Sequence, residues 1–202
     1  MAICETWIGD SVPDSVKFGL ASESFSIAHV HHLLIPGRPT YSGPSLLTTT
    51  SLFHDHKLQA TTHLKLFECQ LINIWVANQV ITVTNIYRPQ SSSKSTFLSE
   101  FDDLLSSLCL HTGNHLLFCD NFNPPGQSDW LVDKDLMAIL TRFGIEQHVK
   151  ELTHYAASSN HRNILDLVLN PNSLMLVKTT SVMILHHLSN HQIVMWSCQW
   201  QA

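Results

Sequence analysis

The sequence predicts an α/β protein, a two-sheet α/β sandwich with helices on its outside. Three observations carry that expectation. The first third of the chain breaks into short apolar runs separated by turn-forming residues, the pattern of β-hairpins. Phe97, Leu98, Phe101, Leu104, Leu105 and Leu108 then recur at helical spacing. An apolar run, His115 to Cys119, follows that helix and precedes a second amphipathic stretch, so strands and helices alternate through the middle.

In chain order, Ala2 to Trp7 reads as the last half of a buried strand ending in a carboxylate, Glu5. Residues 8–24 read as loop, with Gly9, Asp10, Pro13 and Asp14. Ser26 to Leu34 is a candidate strand, closed by the turn Pro36-Gly37-Arg38-Pro39. Ser45 to Ser51 and His63 to Trp75 read as strands, the second placing Leu64, Leu66, Cys69 and Leu71 among polar neighbours. Val80 to Tyr87 is rich in β-branched residues, and Pro89 ends it. A helix opens at Ser95 and runs to Leu110, and the central strand covers 115–120. Trp130 to Phe143 is a second amphipathic helix with Gly144 as its stop. Strands are expected at Ile164–Leu169, which carries Asp166, at Leu174–Leu185 and at His191–Trp200. No internal repeat appears, and the serine-rich loop at 91–95 is too short for a linker, so residues 1–202 are read as one domain.

Composition narrows the classes. The 202 residues suffice for a sizeable core, and a charged fraction of 13% excludes a disordered acidic tail or a charged coiled coil. The net charge of −5 comes without any basic run, which argues against a strong electrostatic grip on nucleic acid. The 5 cysteines are scattered and form no CxxC pair, so they read as reduced, buried thiols of an intracellular protein, cytoplasmic or nuclear. The N-terminus has no signal-peptide pattern. The longest hydrophobic stretch, Leu71 to Tyr87, is interrupted by Asn73, Asn78, Gln79 and Asn85, so no membrane span is expected. Among the 14 histidines, the clusters at 31–32, 54/56, 111/115 and 186–187 match no common ligand spacing, so zinc is not expected.

The stretch from His115 to Gly126 organises the functional reading. Five mostly apolar residues run into Asp120, Asn121 and Asn123, then into Pro124-Pro125-Gly126. That is a buried strand delivering short polar side chains at its carboxyl end, where sites of layered α/β folds are commonly built.

Four further short motifs stand in order around it: Cys4-Glu5-Thr6-Trp7, Asn85-Ile86-Tyr87-Arg88-Pro89, Asn163-Ile164-Leu165-Asp166-Leu167-Val168 and Leu188-Ser189-Asn190-His191. With Cys119-Asp120-Asn121-Phe122-Asn123 in third place, the set resembles the endonuclease/exonuclease/phosphatase family. The text around the motifs, including Tyr87-Arg88-Pro89, Phe143-Gly144-Ile145-Glu146-Gln147-His148-Val149 and Leu152-Thr153-His154, resembles the endonuclease domain of LINE-type (non-LTR) retrotransposons. The resemblance covers almost the whole chain and is thinnest between residues 20 and 60.

It implies metal-assisted phosphodiester hydrolysis with Mg²⁺, or Mn²⁺, as the ion and DNA as the partner. By resemblance Glu5 is a metal ligand, and position 190, here Asn190, assists it. Tyr87 contacts the scissile phosphate. Position 121, here Asn121, orients and deprotonates the attacking water. Asn123 donates to the phosphate. Asp166 holds the imidazole of His191, which also engages the phosphate.

The chain departs from that pattern. Asp120 stands where the family has glycine, and Asn121 stands where it has the catalytic aspartate. Asn190 replaces an acidic residue, and the chain is expected to start inside the family's second strand, with the first strand missing. An amide accepts a hydrogen bond from water but cannot take its proton. Hydrolysis is therefore expected to be crippled, the ion held weakly, and DNA bound weakly.

Taken singly, these residues have plainer readings. Glu5 reads as a solvated strand-end carboxylate, Tyr87 as a half-buried aromatic, and Asn121 and Asn123 as turn formers. Trp196 and Trp200, four apart on one strand face, read as core or edge packing rather than a base-stacking platform. Two other functional classes stay open: a non-catalytic binding module that kept the fold, and a decayed transposon fragment. The sequence assigns no oligomeric state.

Overall fold

A computed structural model describes residues 2–3, 25–29, 45–49, 56–63, 67–76, 79–88, 93–111, 115–122, 132–155, 162–171, 175–183 and 191–200. It is a mixed α/β structure, as the alternation of strand and helix patterns requires. Its centre is a six-stranded sheet of β4 (His56–His63), β5 (Glu68–Val76), β6 (Gln79–Tyr87), β7 (His115–Asn121), β11 (Asp166–Pro171) and β8 (Ile145–Gln147), in the spatial order β4-β5-β6-β7-β11-β8. β6 and β7 run parallel, and the other neighbours in this sheet run antiparallel. The remaining described strands form three small sheets. β1 (Ala2–Ile3), β2 (Phe25–His29) and β3 (Ser45–Thr49) make one. β9 (His154–Tyr155) pairs with β10 (Arg162–Asn163), and β12 (Met175–Met183) pairs with β13 (Ile193–Trp200).

The parallel step from β6 to β7 is made by helix α1 (Lys94–His111), because parallel neighbours need a crossover. Phe97, Phe101, Leu104 and Leu105 are buried along one stripe of this helix, at the i, i+4, i+7, i+8 positions of an amphipathic helix. The rings of Phe97 and Phe101 stack at 5.7 Å, and Phe101 meets Phe118 and Phe122 edge-on at 6.4 and 5.7 Å. Phe67 closes the cluster at 5.3 Å from Phe97. Buried aromatics of this size dominate the burial energy of a core.

Helix α2 (Lys134–Arg142) starts later than the expected Trp130. Asp133 caps it, its carboxylate accepting the N–H groups of Asp135 and Leu136 at 2.9 and 3.2 Å. Burial raises the Asp133 pKa, but Lys94 and those two backbone donors outweigh it and leave the carboxyl below its ordinary value. Lys94 Nζ reaches Asp133 at 2.6 Å and Asp135 at 2.7 Å, so one cation joins the starts of both helices. An Arg142–Asp102 ion pair joins the helices again further along. Gly144 takes φ +63°, the left-handed conformation that ends the helix, as its sequence position indicated.

Other boundaries also moved. The expected strand over His63–Trp75 starts too early: His63 ends β4 and β5 begins at Glu68, the two strands folded against each other with His63 opposite Glu68. That reversal carries no glycine, proline, Asn or Asp between them, so turn chemistry could not reveal it. The segment 145–147, to which the sequence pattern assigned no element, is an edge strand. Trp196 is 36% exposed on β13, and β12 is the neighbour of that strand among the described residues. The parts of the expected strands at Cys4–Trp7 and Val30–Leu34, and the expected loop at 8–24, lie outside the described residues.

Candidate functional site

Register across the sheet assembles the site. In β5 and β6, Glu68 stands opposite Tyr87. In β6 and β7, Asn85 stands beside Cys119, and two residues further along the same register Tyr87 stands beside Asn121. The Arg88 N–H donates to the Asn121 carbonyl at 3.0 Å, which holds that last step in place. In β7 and β11, Asn121 stands opposite Asp166, and the Phe122 N–H donates to the Leu165 carbonyl at 3.0 Å. Directly paired residues point to the same face of a sheet. Glu68, Tyr87, Asn121 and Asp166 therefore form one row on one face, each step about 4.8 Å.

His191 joins the end of that row. Its Nδ1 lies 3.0 and 3.2 Å from the two carboxylate oxygens of Asp166. An ionised carboxylate has no proton to give, so Nδ1–H donates and Nε2 is left facing away from Asp166. The pair is largely sheltered, with side-chain exposures of 14% for Asp166 and 25% for His191. Asp166 opens its strand instead of sitting inside it, because β11 begins two residues later than its apolar pattern suggested.

Four of the seven residues singled out from the sequence, Tyr87, Asn121, Asp166 and His191, are thus brought together. Glu5, Asn123 and Asn190 lie outside the described residues. The strand ahead of Glu5, β1, lies against β7, the strand of Asn121. Asp120 pairs with Leu167 in a backbone register that no bulge interrupts.

Tyr87 and Asn121 are buried, and the layer beneath them is polar as well: Gln70 and Asn85, opposite each other and both buried, fill the next row on the same face. Sequence reasoning named neither of these two as a site candidate, although Asn85 opens one of the five motifs. Arg88 is buried behind the site, its guanidinium 4.9 Å from the centre of the Phe97 ring. Burial lowers the Arg88 pKa, and the Asp133 charge works against that shift. Thr153 is the other residue passed over as a site candidate: its hydroxyl oxygen accepts from the N–H groups of Leu165 and Asp166, beside the His–Asp pair.

Among the described residues, no group of three or more His, Cys, Asp or Glu side chains could hold a metal ion. The row presents two carboxylates at its opposite ends, Glu68 and Asp166, the latter already engaged by His191, with one phenol and one neutral amide between them, a set that does not by itself fit a divalent cation. No described helix is long and apolar enough to cross a membrane.

No protein-family model matches this sequence, and no curated protein matches it. Solved structures do. The chain is similar to the 3′ phosphatase NExo from Neisseria, solved bound to a product DNA hairpin, at 15% identity, covering 98% of this chain and 88% of that one with a TM-score of 0.67. It is similar to the endonuclease domain of TRAS1, a telomere-specific non-LTR retrotransposon, at 11% identity, with coverage of 93% and 91% and a TM-score of 0.63. An endonuclease/exonuclease/phosphatase family protein from Leptotrichia buccalis aligns at 12% identity, with coverage of 92% and 76% and a TM-score of 0.59. Identities this low speak to the fold, and the fold of this chain is that of the endonuclease/exonuclease/phosphatase proteins.

Proposed function

We propose that this chain is a retrotransposon-derived member of the endonuclease/exonuclease/phosphatase family, a DNA phosphodiesterase domain whose hydrolytic step is impaired. One observation supports this above the others: Tyr87, Asn121 and Asp166 stand in one row with His191 hydrogen-bonded to Asp166, and the middle member is an amide. In this reading the Tyr87 hydroxyl and His191 Nε2 face the phosphate. Asp166 fixes the imidazole orientation and so aims Nε2 toward a phosphate oxygen. Asn121 holds the attacking water through its amide oxygen without accepting a proton. A missing positioned base lowers the rate by about 10²–10⁴.

The resemblance assigns Mg²⁺ or Mn²⁺ to Glu5 and Asn190, where it would neutralise charge on the phosphate. With an amide at position 190 that ion is held weakly. Asn123 is assigned to donate to the phosphate as charge develops. The DNA partner is supported by the two neighbours whose descriptions name a DNA hairpin and a telomere-specific element. The net charge of −5 makes that interaction weak.

Nicking of supercoiled plasmid in Mg²⁺ tests the reading. The unaltered chain is expected to turn over no faster than its His191→Ala variant. Robust turnover that depends on His191 would refute the impairment. The paired variant Asn121→Asp with Asn190→Asp is expected to gain nicking activity, and no gain in a folded chain would refute the assignment of those two positions.

A further inference from the structure

We propose that Thr153 is the positioning residue that sets the Asp166–His191 pair, an inference resting on the reading of that pair as the phosphate-facing couple. Thr153 is completely buried, and its hydrogen bonds reach both segments that carry the pair. Its hydroxyl oxygen accepts the backbone N–H of Leu165 at 2.9 Å and of Asp166 at 3.0 Å. Its carbonyl accepts the N–H of Gln192, the residue after His191, at 2.8 Å. Its own N–H donates to the Asn163 carbonyl at 3.0 Å.

Successive N–H groups of a regular strand point to opposite sides. Here two successive ones converge on a single oxygen, so Thr153 holds the backbone turned where β11 begins and aims the Asp166 side chain. The same residue, through its carbonyl, anchors the chain immediately after the imidazole. His154 continues the clamp: it forms an isolated antiparallel bridge with His191, and the two rings lie 4.8 Å apart, tilted by 59°. A side chain at position 153 must offer an acceptor able to take two donors, compact enough for a fully buried site. Serine meets that requirement, and valine has the shape without the oxygen.

The test is the tautomer of His191, read from its two ring-nitrogen shifts by NMR at a pH where the ring is neutral, with the signal assigned by its loss in His191→Gln. In the unaltered chain Nδ1 carries the proton, because Asp166 accepts it. In Thr153→Val the Nδ1–H population is expected to fall at least twofold, with the backbone amide signals of β6 and β7 unchanged. In Thr153→Ser it is expected to stay at the unaltered level. A tautomer unchanged in Thr153→Val, or lost equally in Thr153→Ser, overturns the inference. A Thr153→Val chain that unfolds outright also overturns it, since Thr153 would then serve the whole fold. The readout needs no turnover. If the folded Asn121→Asp with Asn190→Asp variant gains no nicking activity while the tautomer responds to Thr153→Val as expected, the nuclease reading fails and the positioning role stands. If that paired variant gains nicking while the tautomer ignores Thr153→Val, the reverse holds.

Discussion

At the carboxyl end of β7 the two faces of the central sheet carry different chemistry. Leu116 and Phe118 point toward α1, where Phe118 and the following Phe122 meet the Phe101 ring edge-on. Cys119 and Asn121 point the other way, into rows shared with Asn85, Gln70, Tyr87, Glu68 and Asp166. The aromatic cluster concentrates apolar burial, the main favourable term in folding. The rows on the other face bury Gln70, Asn85 and Asn121 beside the partly buried Asp166 carboxylate, and such groups stabilise little unless each is hydrogen-bonded. Asn and Asp have nearly the same shape, so an exchange at position 121 alters charge on the polar face and leaves the aromatic face untouched. The fold can therefore persist where the chemistry has weakened.

This contrast can be broken experimentally. The largest expected effect is on rate: Asn121→Asp with Asn190→Asp should raise plasmid nicking by about 10²–10⁴, with melting temperature changed little. Next comes the aromatic face. Phe101→Ala should lose about 3–5 kcal/mol in a denaturant titration, because the cavity is walled by four other phenylalanines. If Phe101→Ala cost no more than a surface substitution, the division of labour between the faces would be wrong.

A smaller loss, about 0.5–2 kcal/mol, is expected for Asp133→Ala, which uncaps α2 and leaves Lys94 with Asp135 alone. The depressed Asp133 pKa sets the sign of the pH effect. Its contribution is present above the ordinary value of 3.8 and is lost as pH falls through the lower folded value. Asp133→Asn keeps a capping oxygen without the charge, so its acid unfolding should be less steep than that of the unaltered chain. The smallest effect, about 1 kcal/mol, is expected for Gly144→Ala. An added Cβ would meet nothing within 4 Å, so that loss comes from the left-handed backbone alone.

Legibility differed from one element to the next. α1 was readable because its buried positions repeat every three to four residues with little polar interruption. β6 was readable from its β-branched run. The reversal between β4 and β5 was not, since its apolar alternation continues through a turn that lacks turn residues. The pairing of Asp166 with His191 was anticipated through resemblance, and the geometry agrees. Thr153 was seen as part of a motif and not as a site residue, because accepting two backbone donors leaves no periodic or compositional mark. Asn85 was seen as a break in hydrophobicity and as the start of the motif that ends in Pro89, and Gln70 was not singled out.

The amino-acid order alone determined which segments become helix or strand, and it put an amide at position 121, because side-chain period and chemical identity are local properties. Which residues become neighbours was decided by strand order and register. Those depend on a parallel crossover through α1 and on contacts such as that of His191 with Asp166, 25 positions apart, and their cost and gain are summed over the whole packed sheet.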